Sequence, residues 1–422
     1  MAGASVYGQN PPAIPNDGDM RQAEVILAQN PNNFDNYFTY AQMATARGDD
    51  KKAAEAYLHM LRIDPSLDRV RLDLSMSYAR MGYYKEAITL MEQVLQRRIP
   101  DEVRHTIETV LADLKKSSNP SHWSAYITTG VNWDSNANSA SDNDHILVLD
   151  TSVLLPPGDR KTDDLQAFVG GGISNKYRLT DPTNTQYTVL WESGAGLYQN
   201  EQNHLDNLNL RVYSFDTGPR LIIPEWQTEF KLNANYAHIL LDGYSYLRQY
   251  TGELSTQTAL NEKWRLQTAI SHEFRDYLNA PQVTVYEDRT GPAEQARLGV
   301  AYSYSPVDLF DAGTTWRIED TKQAYYDNKQ GGVDVGYTRQ FDETLYGRAS
   351  AGFRKTLYKD NDPLLTTQRR VEWEKTLGYS LTKMFTDSFS LTLAYQYRDV
   401  DASFENYEYD NHRFGFNFLW QF

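Results

Sequence analysis

The chain has no cysteine, which excludes disulfide staples and thiolate metal sites. It lacks any run of the ~18 apolar residues that a membrane-spanning helix needs, although 40% of its 422 residues are hydrophobic. A helical membrane protein is therefore ruled out. It also lacks basic surplus: 41 Lys and Arg stand against 56 Asp and Glu, a net charge of −15. The basic footprint of a nucleic-acid binder is missing, and no nucleic-acid partner is expected. Signatures of chemistry are equally scarce. The eight His residues form no HExxH or other close metal pair, and no G-x-S-x-G, Walker A or Rossmann pattern sits at a strand-to-helix junction. Ser271-His272-Glu273 lies in an alternating stretch, where neighbours point to opposite faces. Gly170-Gly171-Gly172 also lies inside a strand pattern, where it gives curvature or lumen space rather than a phosphate cradle. No enzyme, cofactor or metal is expected; a Ser/His/acid set formed across strands is the alternative left open. The start, Met1-Ala2-Gly3-Ala4-Ser5, has neither the basic nor the apolar region of an export signal. It reads as a mature form whose signal peptide has been replaced by a start Met.

What the chain has in quantity is tyrosine, 30 residues, within an aromatic content of 13%. That suits a membrane barrel, whose outer band is flanked by aromatic girdles; a Tyr-rich soluble β-protein is the plainer alternative. The acidic balance fits a polar, water-filled lumen and acidic loops.

Residues 20–116 read as helices with an internal repeat. Pro31 recurs as Pro65, Gly48 as Gly82, Ala53 as Ala87 and Leu61 as Leu95, each 34 residues on, the period of a tetratricopeptide (TPR) repeat. Tyr37, Tyr40, Ala41 and Ala44 share one helical face. Ala53, Ala54 and Ala56 let a second helix pack closely. Gly48 and Gly82 fall where the first helix of each pair must turn into the second, and Asn30-Pro31 and Asp64-Pro65 separate the repeats. Two clear repeats are expected, with a half-repeat at 20–30 and a closing helix near 101–116; a plain helical bundle is the alternative. Residues 1–19 are expected to be disordered or extended, and the polar stretch 117–121 reads as a linker.

From Trp123 the period changes to two. Trp123, Ala125, Ile127, Thr129, Val131 and Trp133 face one way; Ser124, Tyr126, Thr128, Gly130, Asn132 and Asp134 face the other. One side suits lipid and the other water. Similar alternation recurs to the end of the chain, giving about 14 strands over residues 122–422, an even number as bacterial barrels require. Connections after odd strands are mostly long (135–163, 275–294, 399–408). Those after even strands are short (179–184, 259–262, 305–311, 340–343, 382–387). Long extracellular loops and short periplasmic turns are the barrel's normal asymmetry, which puts the helical domain, 20–116, in the periplasm and the barrel in the outer membrane. The fold class expected is thus TPR-like helices followed by an antiparallel transmembrane β-barrel.

Three groups of candidate functional residues follow. Phe414, Phe416, Phe418, Trp420 and Phe422 alternate on the last strand and resemble the terminal signal by which outer-membrane proteins are recognised by the barrel assembly machinery. Arg348 and Arg354 lie on one strand, next to Glu372 and Glu374 on the following one; these lumen charges form either a ladder of ion pairs that stiffens the wall or a polar surface touched by a passing substrate. Glu192, Glu229, Glu253 and Arg265 raise the same question. Tyr37, Tyr40, Tyr78, Tyr83 and Tyr84 are candidate client contacts on the helical domain, with packing inside the repeat as the alternative.

The stretch Gly130-Val131-Asn132-Trp133-Asp134-Ser135-Asn136-Ala137-Asn138 is similar to the D-S-N-x-N that follows strand one in the surface lipoprotein assembly modulator (Slam) family. The end, Ser403 to Phe422 with Tyr407, Tyr409, Asp410 and Arg413, is similar to that family's closing strand. The resemblance implies an outer-membrane translocator that moves a client protein, lipidated or soluble, to the cell surface. Its partners would be outer-membrane lipid and a client or periplasmic chaperone held by the TPR domain. The helical domain is shorter than is usual in the family, which leaves the client type open. The alternatives are a polysaccharide-export porin, which also joins TPR repeats to a barrel, with lumen-facing Tyr126 and Tyr346 as aromatics for sugar sliding, and a passive porin.

Overall fold

The computed structural model describes residues 15–30, 33–149, 151–184, 186–279, 286–363 and 365–422. Pro31, the first member of one repeat match, lies outside them, as do the first 14 residues and part of the 275–294 connection. The chain divides after Pro120 into two compact units.

The first unit holds six helices: α1 (Asp17–Gln29), α2 (Phe34–Ala46), α3 (Asp50–Ile63), α4 (Asp68–Arg80), α5 (Tyr84–Leu95) and α6 (Asp101–Ser118). Helices α2/α3 and α4/α5 are the two pairs that the 34-residue period marks. Gly48 (φ +77°) and Gly82 (φ +83°) turn the first helix of each pair into the second. A left-handed backbone there favours glycine, which has no Cβ to clash. Alanine fills the closest approaches: Ala41, Ala44, Ala53 and Ala87 are fully buried. Around them Met20, Tyr57, Met60, Val70 and Leu74 form one core. Met91, Val94, Ile107, Leu111 and Leu114 form another under α6.

Two boundaries differ from the sequence reading. Residues 17–19, expected to be extended, already belong to α1, because Asn16 caps it reciprocally with Asp19. The stretch 117–121 is not a free linker throughout. Helix α6 runs to Ser118, whose hydroxyl donates to the Lys115 carbonyl at 2.9 Å, and the first strand starts at Ser121, leaving Asn119-Pro120 between them.

The second unit is a closed antiparallel barrel. Its 14 strands are β1 (Ser121–Asp134), β4 (Asp164–Arg178), β5 (Thr188–Gln202), β6 (Leu210–Ile223), β7 (Thr228–Leu241), β8 (Tyr244–Ala259), β9 (Trp264–Tyr277), β10 (Gly291–Ser303), β11 (Asp308–Glu319), β12 (Asn328–Gln340), β13 (Leu345–Tyr358), β14 (Val371–Thr386), β15 (Phe389–Ala402) and β16 (Tyr409–Gln421). Each pairs with its neighbours in sequence, and β16 closes on β1. A small hairpin, β2 (His145–Val148) with β3 (Thr151–Leu154), rises from the first long connection. All 14 expected strands are present. The largest shift is at β6, expected to end at 216 and running to Ile223; Trp226, expected in the next strand, lies in a short 3-10 turn just before β7.

Loop lengths alternate as the sequence suggested, with two exceptions. The even connection 179–187 is the longest on its side. The odd connection Asp242-Gly243 has only two residues, both at positive φ, the turn that suits a twisted hairpin. Outward positions are apolar: Ile127, Val131, Leu232, Leu254, Ile270, Val335 and Leu377 are all exposed. Trp226, Trp264, Tyr304 and Phe341 ring the short-turn end, and Trp133, Trp316 and Phe274 the long-loop end. These are the two girdles of a membrane barrel.

Leu74 is 1% exposed at the centre of the helical core. Leu74→Ala should cost about 3 kcal/mol. Urea titration of the full chain in detergent should move the loss of helical signal to lower urea and leave the β signal in place.

Candidate functional site

The inward face of the barrel is polar, and many of its charges are paired. The pairs share a geometry. Arg348 on β13 grips Asp311 on β11 through two hydrogen bonds, 2.6 and 2.9 Å, and the strand between them, β12, offers Gly336 opposite Asp311. Arg297 on β10 reaches Asp334 on β12 at 2.9 Å across Gly313 of β11. On β9 to β11 two pairs cross: Arg317 bonds Glu273 at 2.7 Å and Arg275 bonds Glu319. Between Glu273 and Glu319 lies Ala293, 1% exposed. Lys231 on β7 reaches Glu192 on β5 at 2.9 Å, alongside Gly218 of β6. Across the seam, Arg413 of β16 donates to Gln166 of β4 at 2.8 Å, past β1. In each case two long side chains meet over the strand between them, where a glycine or alanine clears the way in all but the last. The more exposed of these pairs, such as Arg297–Asp334, contribute little singly, but the bidentate and networked ones fix geometry.

Of the four lumen charges singled out in the sequence, the structure brings two together. Arg354 faces Glu374 directly and bonds it at 2.6 Å, and Arg398 bonds the same carboxylate oxygen at 2.6 Å. Arg348 faces Ser380 instead and turns back to Asp311. Glu372 faces Thr356 and is held by Arg370 at 3.2 Å. Glu192 and Glu229 both bind Arg220. Strand order alone suggested neighbours; the register and the small residues between strands decide the partners. The missed partners, Asp311, Asp334 and Arg297, had a signal in the sequence: small residues at inward positions of the strands between.

Phe414, Phe416 and Phe418 point outward and are exposed, and Trp420 shares their face of β16. Phe422 lies past the end of β16 but still exchanges two backbone hydrogen bonds with Ala125, 2.8 and 3.1 Å. Tyr126 points inward, opposite Gly172, and a side chain there would meet its ring.

The candidate tyrosines divide. Tyr40 is buried and donates to Glu24 at 3.0 Å; burial pushes its hydroxyl far up. Tyr37 stacks on His59 with ring centroids 4.2 Å apart. Tyr78 meets Tyr83 edge-on at 5.9 Å, and Tyr84 packs against the second core. Of the five, only Tyr83 is exposed, at 44%.

The stretch Asp134 to Asn138 is a clasp between β1 and β16. Ser135 N donates to His412 O at 2.9 Å, and His412 N donates back to Ser135 Oγ at 2.8 Å. Asn411 Nδ2 donates to Asp134 Oδ1 at 2.7 Å. Asn136 is fully buried and caps the turn, accepting from Ala140 N at 3.0 Å and donating to Ala140 O at 2.9 Å. Asn138 ties the far side of the same loop, donating to Arg160 O at 2.7 Å.

The gap that small residues leave is testable. A side chain at Gly336 would overlap the Arg348 guanidinium and the Asp311 carboxylate. Gly336→Val should break that pair and cost about 1–3 kcal/mol, lowering the temperature of the gel-mobility shift that marks barrel unfolding. Gly331→Val, on the same strand but facing open space, should leave that temperature nearly unchanged.

No curated protein sequence matches the chain. Among solved structures, a loop-deletion mutant of OmpT, an outer membrane protein of Vibrio cholerae, is similar over 72% of this chain and 100% of its own, at 8% identity and a TM-score of 0.41. The outer membrane channel DcaP of Acinetobacter baumannii is similar over 72% and 97%, at 10% identity and a TM-score of 0.41. The Yersinia enterocolitica type III secretion translocator chaperone SycD is similar over 24% and 72%, at 12% identity and a TM-score of 0.23. The profile of the family described as surface lipoprotein assembly modifier matches residues 123–422, the whole barrel from Trp123 onward. The chain therefore belongs to the surface lipoprotein assembly modifier family, as an outer-membrane β-barrel with an N-terminal helical domain.

Proposed function

We propose that this protein is an outer-membrane translocator that helps carry a client, a lipoprotein or a soluble secreted protein, from periplasm to cell surface. The observation that carries this reading is the family match over the complete barrel. The helical domain lies on the periplasmic side, the side of the short turns, and binds client or a chaperone. Stacked helical repeats present concave surfaces that suit extended segments. Exposed side chains on α4, Arg69, Met76 and Arg80, together with Tyr83, are the surface available for that contact. The covalent link through Asn119-Pro120 keeps whatever the helices bind at high effective concentration for the barrel. The lumen wall contributes no chemistry in this reading. Its paired charges keep the staves in place, and the β16 aromatics serve recognition by the barrel assembly machinery. The polysaccharide-export alternative would use Tyr126 and Tyr346, 44% and 39% exposed, as an aromatic rail in the lumen.

Orientation is tested on whole cells. Added protease should cut within 135–163 and spare Asn119-Pro120; cleavage at the linker in intact cells would reverse the orientation. The hand-over is tested by deleting residues 1–116. The remaining barrel should fold, keep its heat-modifiable migration and fail to display a lipoprotein client. Undiminished display would remove the helical domain from the mechanism, and loss of a surface polysaccharide with no change in any protein would favour the export porin.

A further inference from the structure

Five connections at the long-loop end are joined into one chain of contacts. The first, 135–163, holds the last, 403–408: Asn406 accepts from Leu147 N at 2.7 Å and donates to Leu147 O at 2.8 Å, and Ser141 Oγ donates to Glu405 O at 3.0 Å. Leu149 N donates to Leu365 O at 2.8 Å, which ties in the connection 359–370. Lys359 bonds Asp327 at 2.7 Å, which ties in 320–327. Lys322 pairs with Glu287, and Tyr325 donates to Asp288 at 3.3 Å, which tie in 278–290. The two remaining connections at this end, 203–209 and 242–243, are tied to each other where Asp242 N donates to Asn209 O at 2.8 Å.

Under these contacts sit cations held by tyrosine rings. The Arg370 guanidinium lies between two of them, 3.7 Å from the Tyr358 centroid and 3.8 Å from that of Tyr407. A planar, weakly hydrated guanidinium stacks well in this way. Tyr358 and Glu372 are both on the inward face of the barrel, so the sandwich stands over the lumen and not over lipid. Its three members come from different places: the end of β13, the connection before β14 and the connection before β16. Beside it Arg289 lies over Tyr326, 4.9 Å from the centroid, and Tyr246 packs edge-on against Tyr277 at 5.5 Å and Tyr286 at 5.0 Å. Filling of this kind is not needed to close the sheet, whose ladder is complete without it.

We propose that residues 286–290, 320–327, 365–370 and 403–408 form a lid over the long-loop end of the lumen, that Arg370 between Tyr358 and Tyr407 is its latch, and that the lid opens when a polypeptide emerges. The last clause rests on the translocation reading; the closure does not. A latch built on one guanidinium and two ring faces is strong enough to hold loops together, yet it can be exchanged for other contacts without breaking any strand pairing.

The test is ion current through the purified full-length protein in planar lipid bilayers, with potassium chloride as the probe and no client present. The wild type should pass little current. Arg370→Ala and Tyr407→Ala should each raise conductance several-fold while keeping heat-modifiable migration. Arg369→Ala, which removes the exposed neighbour, should behave as wild type. Tyr407 carries no ion pair to Glu372, as Arg370 does, so its variant reads the latch even if Arg370→Ala fails to fold. A wild type that is already a steady open pore would overturn the proposal, and so would folded latch variants as closed as the wild type. Because no client is present, failure of the translocation reading leaves this result untouched.

Discussion

Water is absent from the hydrocarbon core of a bilayer, so each backbone N–H and C=O that enters it must find a partner inside the protein. An antiparallel sheet meets that demand only by closing on itself, and here the closure rests on one joint, β16 against β1 over Tyr126–Asp134. The rest of the barrel follows from it. Closure fixes an inside and an outside for every strand, and the period of two then assigns each residue to lipid or to lumen. The clasp at Asp134–Asn136 holds the outer end of the same joint with side chains as well as backbone. That gives the short sequence motif after strand one a structural reason.

Much of this could be read from the residues. Strands with one apolar face announce themselves over ten or more positions, and a 34-residue repeat carried by Gly48 and Gly82 marks two helix pairs. What could not be read were properties that depend on more than one strand. Register was one: nothing near Arg348 in the sequence says that it faces Ser380 and turns to Asp311. The ends of helices and strands were another. Asn16 begins α1 before any apolar residue shows the helical period, and Trp226 looks like a strand residue because its apolar side chain fits the alternation. The loop contacts were wholly illegible. Arg370, Tyr358 and Tyr407 are separated by enough chain that no local pattern connects them.

The two units answer to different physics. The helical unit is held by an apolar core of small and medium side chains, in which alanine sets how near two helices can come. Among the described residues, the barrel has no such core. Its apolar residues face outward, and its interior is held by backbone pairing, ion pairs and rings. A change in solvent therefore affects them differently: removing lipid exposes the barrel's apolar face, while the helical core keeps its own.

The small residues under the lumen ion pairs also bear on how such a wall can change over time. Arg348, Gly336 and Asp311 lie on three successive strands and act as one part. An enlarged middle residue expels the pair, and a lost charge leaves a gap with a lone ion beside it. None of the three positions can drift alone. Among relatives they should vary as a triplet, large-small-large or not at all, so that correlated change would appear between strands that never touch through their backbones.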